Sequence, residues 1–202
     1  RRQIHPLLLD CLLPLAPTII GSQGLTLWQC ARAAWLASDG EHHLVMHDDI
    51  RPCVGFADHA AAVIRAVPDA PLCMWGSRHE AQMPPMGGFL SYQTFAWGGA
   101  LCLPRKLIAP FIAWCDDNIE PGWNADDTRM ALWCCATGHR LHVPVPGLVQ
   151  HGDMPTIARP GSQENQIAAV YFDRPLGVMW HADETVKVPG DPRAYLISRS
   201  KH

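Results

Sequence analysis

Between Pro17 and Trp75 the apolar residues keep switching period, and that alternation limits the fold more than any other feature of the chain. "PTII" (17–20) reads as a short buried strand ended by the turn chemistry of "GSQG". Leu25, Trp28, Ala31 or Arg32, and Trp35 recur at helical spacing, and "SDG" closes that segment. "HLVMH" (43–47) is a strand, "FADHAAAVIRAV" (56–67) a helix ending before Pro68, and "PLCMW" (71–75) another strand. Strand and helix in alternation imply an α/β domain whose central sheet is mostly parallel and flanked by helices. A length of 202 residues fits one such domain. Sheets of this kind bind ligands at the carboxyl ends of their strands.

The flanking segments are read the same way. "PLLLDCLLPL" (6–15) is a short helix stopped by Pro14 and Pro17. The stretch 76–99, rich in Gly, Pro, Met and aromatics, has no period and reads as a long functional loop. "ALCLP" (100–104) is a strand, 104–117 a helix with Pro110 near its first turns, and 124–138 a second helix. In that last helix Asn124 is the expected N-cap, acidic residues fill the first turn, and Gly138 stops it. "RLHVPVPGLVQH" (140–151) is extended, and the remainder of the chain is loop-rich. The division implied is a core over 1–155 with 156–202 as an extension of the same domain.

Composition removes several classes. A net charge of -3 gives no support to broad attraction to nucleic acid or a membrane surface. The eight cysteines form no C-x-x-C pair and mostly sit in apolar runs, which is how reduced, buried thiols look; a cytoplasmic setting is expected. No stretch has the length of a membrane span, and the basic start "RRQIHPLLLD" is broken by Asp10 and makes a poor signal peptide. The sequence opens without Met, which leaves room for a first strand ahead of Arg1.

Four pieces carry chemistry, and they come in order. Asp48 and Asp49 follow a strand, Gly98 and Gly99 precede one, Asp126 and Asp127 open a helix, and His151 ends an extended run. Two adjacent carboxylates repel unless a cation lies between them and a partner, or unless the turn is solvated. In "HDD" (47–49), "WGGA" (97–100), "ADD" (125–127) and "VQHGD" (149–153) the chain resembles glycosyltransferases of the GT-A type, over roughly residues 17 to 155. More closely, the run from "HHLVMHDDIRPC" onward is similar to small glycosyltransferases encoded by bacteriophages, some of them associated with sugar addition to hydroxymethylated pyrimidines in DNA.

The resemblance implies a GT-A-like, Rossmann-like fold and a set of roles. Asp49 and His151 would hold Mn²⁺ or Mg²⁺, with His151 favouring manganese, and Asp48 would reach the ribose or a metal-bound water. Gly98 and Gly99 would let the backbone approach the donor sugar, and Trp97 could stack on a sugar or base. Asp127 would deprotonate the acceptor hydroxyl in an inverting reaction, with Asp126 as a hydroxyl contact. Ser22 and Gln23 would contact the nucleotide base, and Arg32 would brace the diphosphate. The donor implied is a UDP-sugar of the UDP-glucose kind, the acceptor 5-hydroxymethylpyrimidine in phage DNA, and the setting the bacterial host cytoplasm. Arg159, Arg174, Arg193, Arg199 and the loop Arg78–Trp97 are the candidates for a DNA-facing surface, against the acidic overall balance.

Each residue also has a plainer use. Asp48–Asp49 before Pro52 suits a solvated turn, Asp126–Asp127 suits a helix macrodipole, the glycines suit a tight turn, and Arg32 suits a solvated helix face. His47, where the family commonly has an acid, leaves open a catalytically silent module that binds a nucleotide or sugar. A phosphohydrolase built on the paired aspartates has too few His and Asp clusters for two metals.

Overall fold

The computed structural model describes residues 6–21, 24–75, 87–93, 99–123, 126–151, 177 and 179–188. Among the described residues eight strands form two sheets: β1 (His42–Met46), β2 (Ile50–Pro52), β3 (Leu72–Cys73), β4 (Gly88–Tyr92), β5 (Ala100–Pro104), β6 (Leu141–Val145), β7 (Val149–His151) and β8 (Thr185–Lys187). Six of them make a sheet in the order β1-β5-β3-β6-β4-β8, and β2 pairs with β7 in a small second sheet. The helices are α1 (Pro6–Leu12), α2 (Leu27–Leu36), α3 (Phe56–Ala66), α4 (Arg105–Asn118) and α5 (Asp126–Thr137).

The protein is mixed α/β, but the sheet is not mostly parallel. β1, β3 and β6 run one way; β5, β4 and β8 run the other. The expectation failed at β5, which is inserted antiparallel between β1 and β3 and pairs with both. Strand and helix do alternate through 27–73, so β1 and β3 share a direction as expected; only the intervening strand comes from further along the chain.

Two further expectations are corrected. "PTII" forms no strand: residues 17–20 have no regular structure, and Ile19 is 61% exposed. Pro17 lacks a donor for a ladder, and exposure removes the burial that would make the run a strand. Within the stretch read as loop, β4 is a strand whose first four residues are buried. It was hidden because a strand buried on both faces has no alternation to see, and because Gly87 and Gly88 resemble loop punctuation. Those glycines are there for contact: a Cβ on Gly88 would lie 2.3 Å from the Glu184 carbonyl oxygen, and Gly87 has φ +68°.

The helices form where propensity and capping agree. Thr26 caps α2, its hydroxyl accepting from Gln29 N while the Gln29 side chain accepts from Thr26 N. Gly138, at φ +77°, ends α5 in the left-handed region that costs glycine least. Asn124 lies outside the described residues. α2, α4 and α5 meet through aromatic edges: Phe111 packs edge-on to Trp28, Trp35 and Trp133 at 6.0, 5.9 and 5.4 Å between centroids. The chain returns late to this core, since β8 pairs with β4 and Trp180 packs on Phe89. No helix among the described residues is long and apolar enough to cross a membrane.

All eight cysteines are free thiols. Burial pushes Cys53, Cys102, Cys115 and Cys134 up to about 12. A raised thiol holds less of the reactive thiolate at any given pH. Burial also shuts out the reagent, so iodoacetamide at about pH 8, near the ordinary thiol range, should label the half-buried Cys11, Cys30 and Cys135 well before these four. Peptide mass spectrometry of the native protein is the measurement, and early labelling of Cys102 or Cys134 would contradict the packing.

Candidate functional site

The carboxyl ends of β1, β3 and β6 lie on one edge of the sheet, and the backbone stitches the segments beyond them together. His47 N donates to Gly99 O at 3.1 Å, and Met74 N donates to Ala100 O at 2.9 Å. Leu148 N and Val149 N both donate to Met74 O, at 2.7 and 3.2 Å, and Cys53 N donates to Leu148 O at 2.9 Å. In the small sheet Ile50 stands opposite His151, and Trp75 bridges to Val149. The turn carrying Asp48 and Asp49 is thus held between Gly99 on one side and the strand of His151 on the other. The described residues of three of the four sequence motifs, far apart along the chain, come to one corner of the fold.

Both aspartates are half-buried. The Asp49 Oδ1 atom is shut off from solvent. Asp48 is near enough to α2 that, behind burial, its charge is the second cause raising the Cys30 thiol. Among the described residues no three His, Cys, Asp or Glu side chains gather into a ligand set. The described corner offers the Asp48 and Asp49 carboxylates; a hard cation can be held by one or two carboxylates, with phosphate oxygens and water completing its sphere.

Gly99 has a reason of its own for being glycine. A Cβ there would sit 2.5 Å from Ile50 Cδ1 and 3.3 Å from Trp75 Cε3. Ile50 is 1% exposed and Trp75 8%, so the space beside Gly99 belongs to the protein's own packing. Gly98, Trp97, Ser22 and Gln23 lie outside the described residues, as do Arg78, Arg159, Arg174, Arg193 and Arg199. The strand that would have carried Ser22 and Gln23 to a sheet edge is not formed.

Asp126 and Asp127 open α5, as expected. Asp127 Oδ1 accepts from Thr128 N at 2.6 Å and from Thr128 Oγ1 at 3.2 Å, which ties the carboxylate to the first turn. This helix end packs on α2, where the Arg129 guanidinium lies 4.4 Å from the centre of the Trp28 ring. Arg32 is engaged elsewhere: its Nε donates to Asp116 Oδ2 at 3.1 Å on the outer face, with 45% of its side chain exposed. An open groove of about 400 Å³, lined by Asp69, His139, Arg140 and His142 among others, lies at the amino ends of β3 and β6, away from this corner.

Trp75, Ile50, Cys30 and Arg129 do not figure among the residues that sequence reasoning singles out. Trp75 ends a recognised strand and could have been found by the strand-end rule. Arg129 shares the buried stripe of Met130, Trp133 and Cys134, and a charge on an apolar stripe is itself a signal. Ile50 and Cys30 carry none. No protein-family model matches the chain, and no curated protein does.

The packing around Gly99 yields a stability test. Gly99→Ala should cost about 1–3 kcal/mol by overpacking. Ile50→Val, which removes the offending Cδ1, should cost about 0.5–1.5 kcal/mol alone yet recover part of the loss in the double variant. Denaturant melts of all four proteins measure that coupling; strict additivity would mean the two side chains do not compete.

Proposed function

We propose that the chain is a metal-dependent glycosyltransferase. It moves a hexose from a nucleotide sugar of the UDP-glucose kind to an acceptor hydroxyl, with 5-hydroxymethylpyrimidine in phage DNA as the acceptor to try first. The observation that carries this reading is the register of one corner: the Asp48–Asp49 turn follows β1, Gly99 O accepts from His47 N, and Ile50 pairs with His151. Motifs that are each weak in sequence gain weight when the fold brings them to a single strand-end edge.

Asp49 and His151 are the residues that would hold Mn²⁺ or Mg²⁺, which when bound supplies Lewis-acid stabilisation to the charge on a departing diphosphate. Asp48 is assigned to the ribose or to a water. Asp127 takes the proton of the acceptor hydroxyl as that oxygen attacks the sugar carbon from the face opposite the diphosphate, which inverts the anomeric centre. Gly99 contributes by letting β5 start tight against Ile50 and Trp75, and so fixes the turn next to it. The host cytoplasm is the setting this chemistry proposes.

Calorimetric titration with UDP tests the donor half. Wild type should bind UDP only with Mn²⁺ present, and Asp49→Ala should lose that binding. UDP binding indifferent to both would overturn the reading. For the transfer half, UDP-glucose and duplex DNA carrying hydroxymethylcytosine are the probes. Asp127→Asn should lower kcat by about 10²–10⁴ while leaving UDP affinity intact. Metal-dependent binding with no turnover on any acceptor would instead identify a binding module of the same fold.

A further inference from the structure

Arg129 is a charged side chain at 1% exposure, and a guanidinium is costly to take out of water unless its donors are met. They are met by main-chain oxygens. Nε and Nη2 donate to Trp123 O at 3.2 and 2.6 Å, Nη2 also donates to Glu120 O at 3.0 Å, and Nη1 reaches Cys115 O at 3.5 Å. Its flat face lies on Trp28, whose Nε1 donates to Asp116 Oδ1 at 3.0 Å. Carbonyls at the end of α4 attract a cation on electrostatic grounds alone. That accounts for a positive charge, and not for which chain segments it joins.

The segments are informative. Trp123 and Arg129 bracket Asp126 and Asp127 in sequence, so the bond between them closes a short ring around the acidic pair. Trp28 belongs to α2, and the Trp35 carbonyl of that helix lies 2.7 Å from His43 Nδ1 on β1, the strand that leads into the Asp48–Asp49 turn. One guanidinium thereby ties the approach to the acidic pair, the first turn of α5, and the helix bonded to the strand that carries the Asp48–Asp49 turn. We infer that Arg129 is a positioning residue for the proposed base: it clasps the 120–123 segment and α2 so that Asp127 is held in fixed relation to the donor corner. The inference rests on the glycosyltransferase reading. It makes Trp28 the second half of the device, since the ring fixes the plane of the guanidinium. Lysine is no substitute, because one ammonium on a flexible stem cannot serve three carbonyls in a fork and stack on a ring.

The test uses the full chain with Arg129→Lys, Trp28→Leu and, as a control that keeps an aromatic face, Trp28→Phe. Two quantities are read with Mn²⁺ present: the Kd for UDP, and the rate of UDP release from UDP-glucose in water. In the second, the bond from the sugar carbon to the diphosphate oxygen breaks, a bond from that carbon to water forms, and the water's proton passes to Asp127. Arg129→Lys and Trp28→Leu should leave the Kd for UDP unchanged and lower kcat on the order of a hundred-fold, the scale of a roughly 1 Å misplacement. Trp28→Phe should keep most of the rate. If Arg129→Lys does not fold by circular dichroism, the Trp28 pair decides. Folded variants with wild-type kcat overturn the inference alone, and so does a loss of UDP affinity in proportion to the loss of rate, which marks a merely structural role. A wild-type chain that releases UDP neither to water nor to the hydroxymethylcytosine duplex overturns the inference together with the reading beneath it; where only the duplex supports release, the same variants are read on that rate.

Discussion

The pairing of β5 with strands on both its sides is the constraint on which the rest depends. All five residues of Ala100–Pro104 are buried; they pair with β1 along their whole length and with β3 at Leu101 and Cys102. A strand so enclosed cannot slide by one residue without turning its apolar faces over. Its start is therefore fixed, and with it Gly99 against His47. From there the bond from Met74 N to Ala100 O and those from Leu148 N and Val149 N to Met74 O carry the order outward to the second sheet. The proposed donor corner is in this sense a by-product of sheet registration. Its Asp48–Asp49 turn hangs from a frame in which β5 itself carries no functional side chain.

How much of this was legible depended on whether the signal was local. α2, α3, α4 and α5 could be read because helical spacing puts Trp28, Ala31 and Trp35, or Phe56, Ala60 and Val63, on one face within a few turns. β1, β5 and β6 could be read as apolar runs between breakers. Direction could not. Whether β5 lies parallel or antiparallel depends on which partners it meets across dozens of residues, and no local pattern records that choice. β4 escaped for a related reason: burial on both faces erased the period, and its two glycines, needed for close approach to Met179 and Glu184, looked like punctuation. "PTII" erred in the opposite direction, since four residues of strand composition found no neighbour to pair with.

The site divides along the same line. The order of Asp48–Asp49, Gly99, Asp126–Asp127 and His151 was visible, because motifs are local strings. What joins them was not. The contact of Arg129 with Trp28 links distant parts of the chain, and the fit of Ile50 against Gly99 depends on a turn and a strand meeting edge to edge. Arg32, plausible as a phosphate ligand by its helix alone, pairs with Asp116 from a helix it could not be seen to touch.

β8 carries a consequence for how the molecule comes into being. Its three residues complete the far edge of the main sheet by lying parallel to β4, which stands far earlier in the chain. During synthesis β4 leaves the ribosome long before that partner exists, so a buried, uncharged strand waits with one side open. Closing so large a loop is slow relative to local pairing, and an open apolar edge invites a neighbouring nascent chain. Once in position, β8 is short and ends in a lysine, features that discourage further strand addition. β8 thus covers the sheet's own sticky edge, and the interval before it arrives is when that edge is most open to a neighbouring chain.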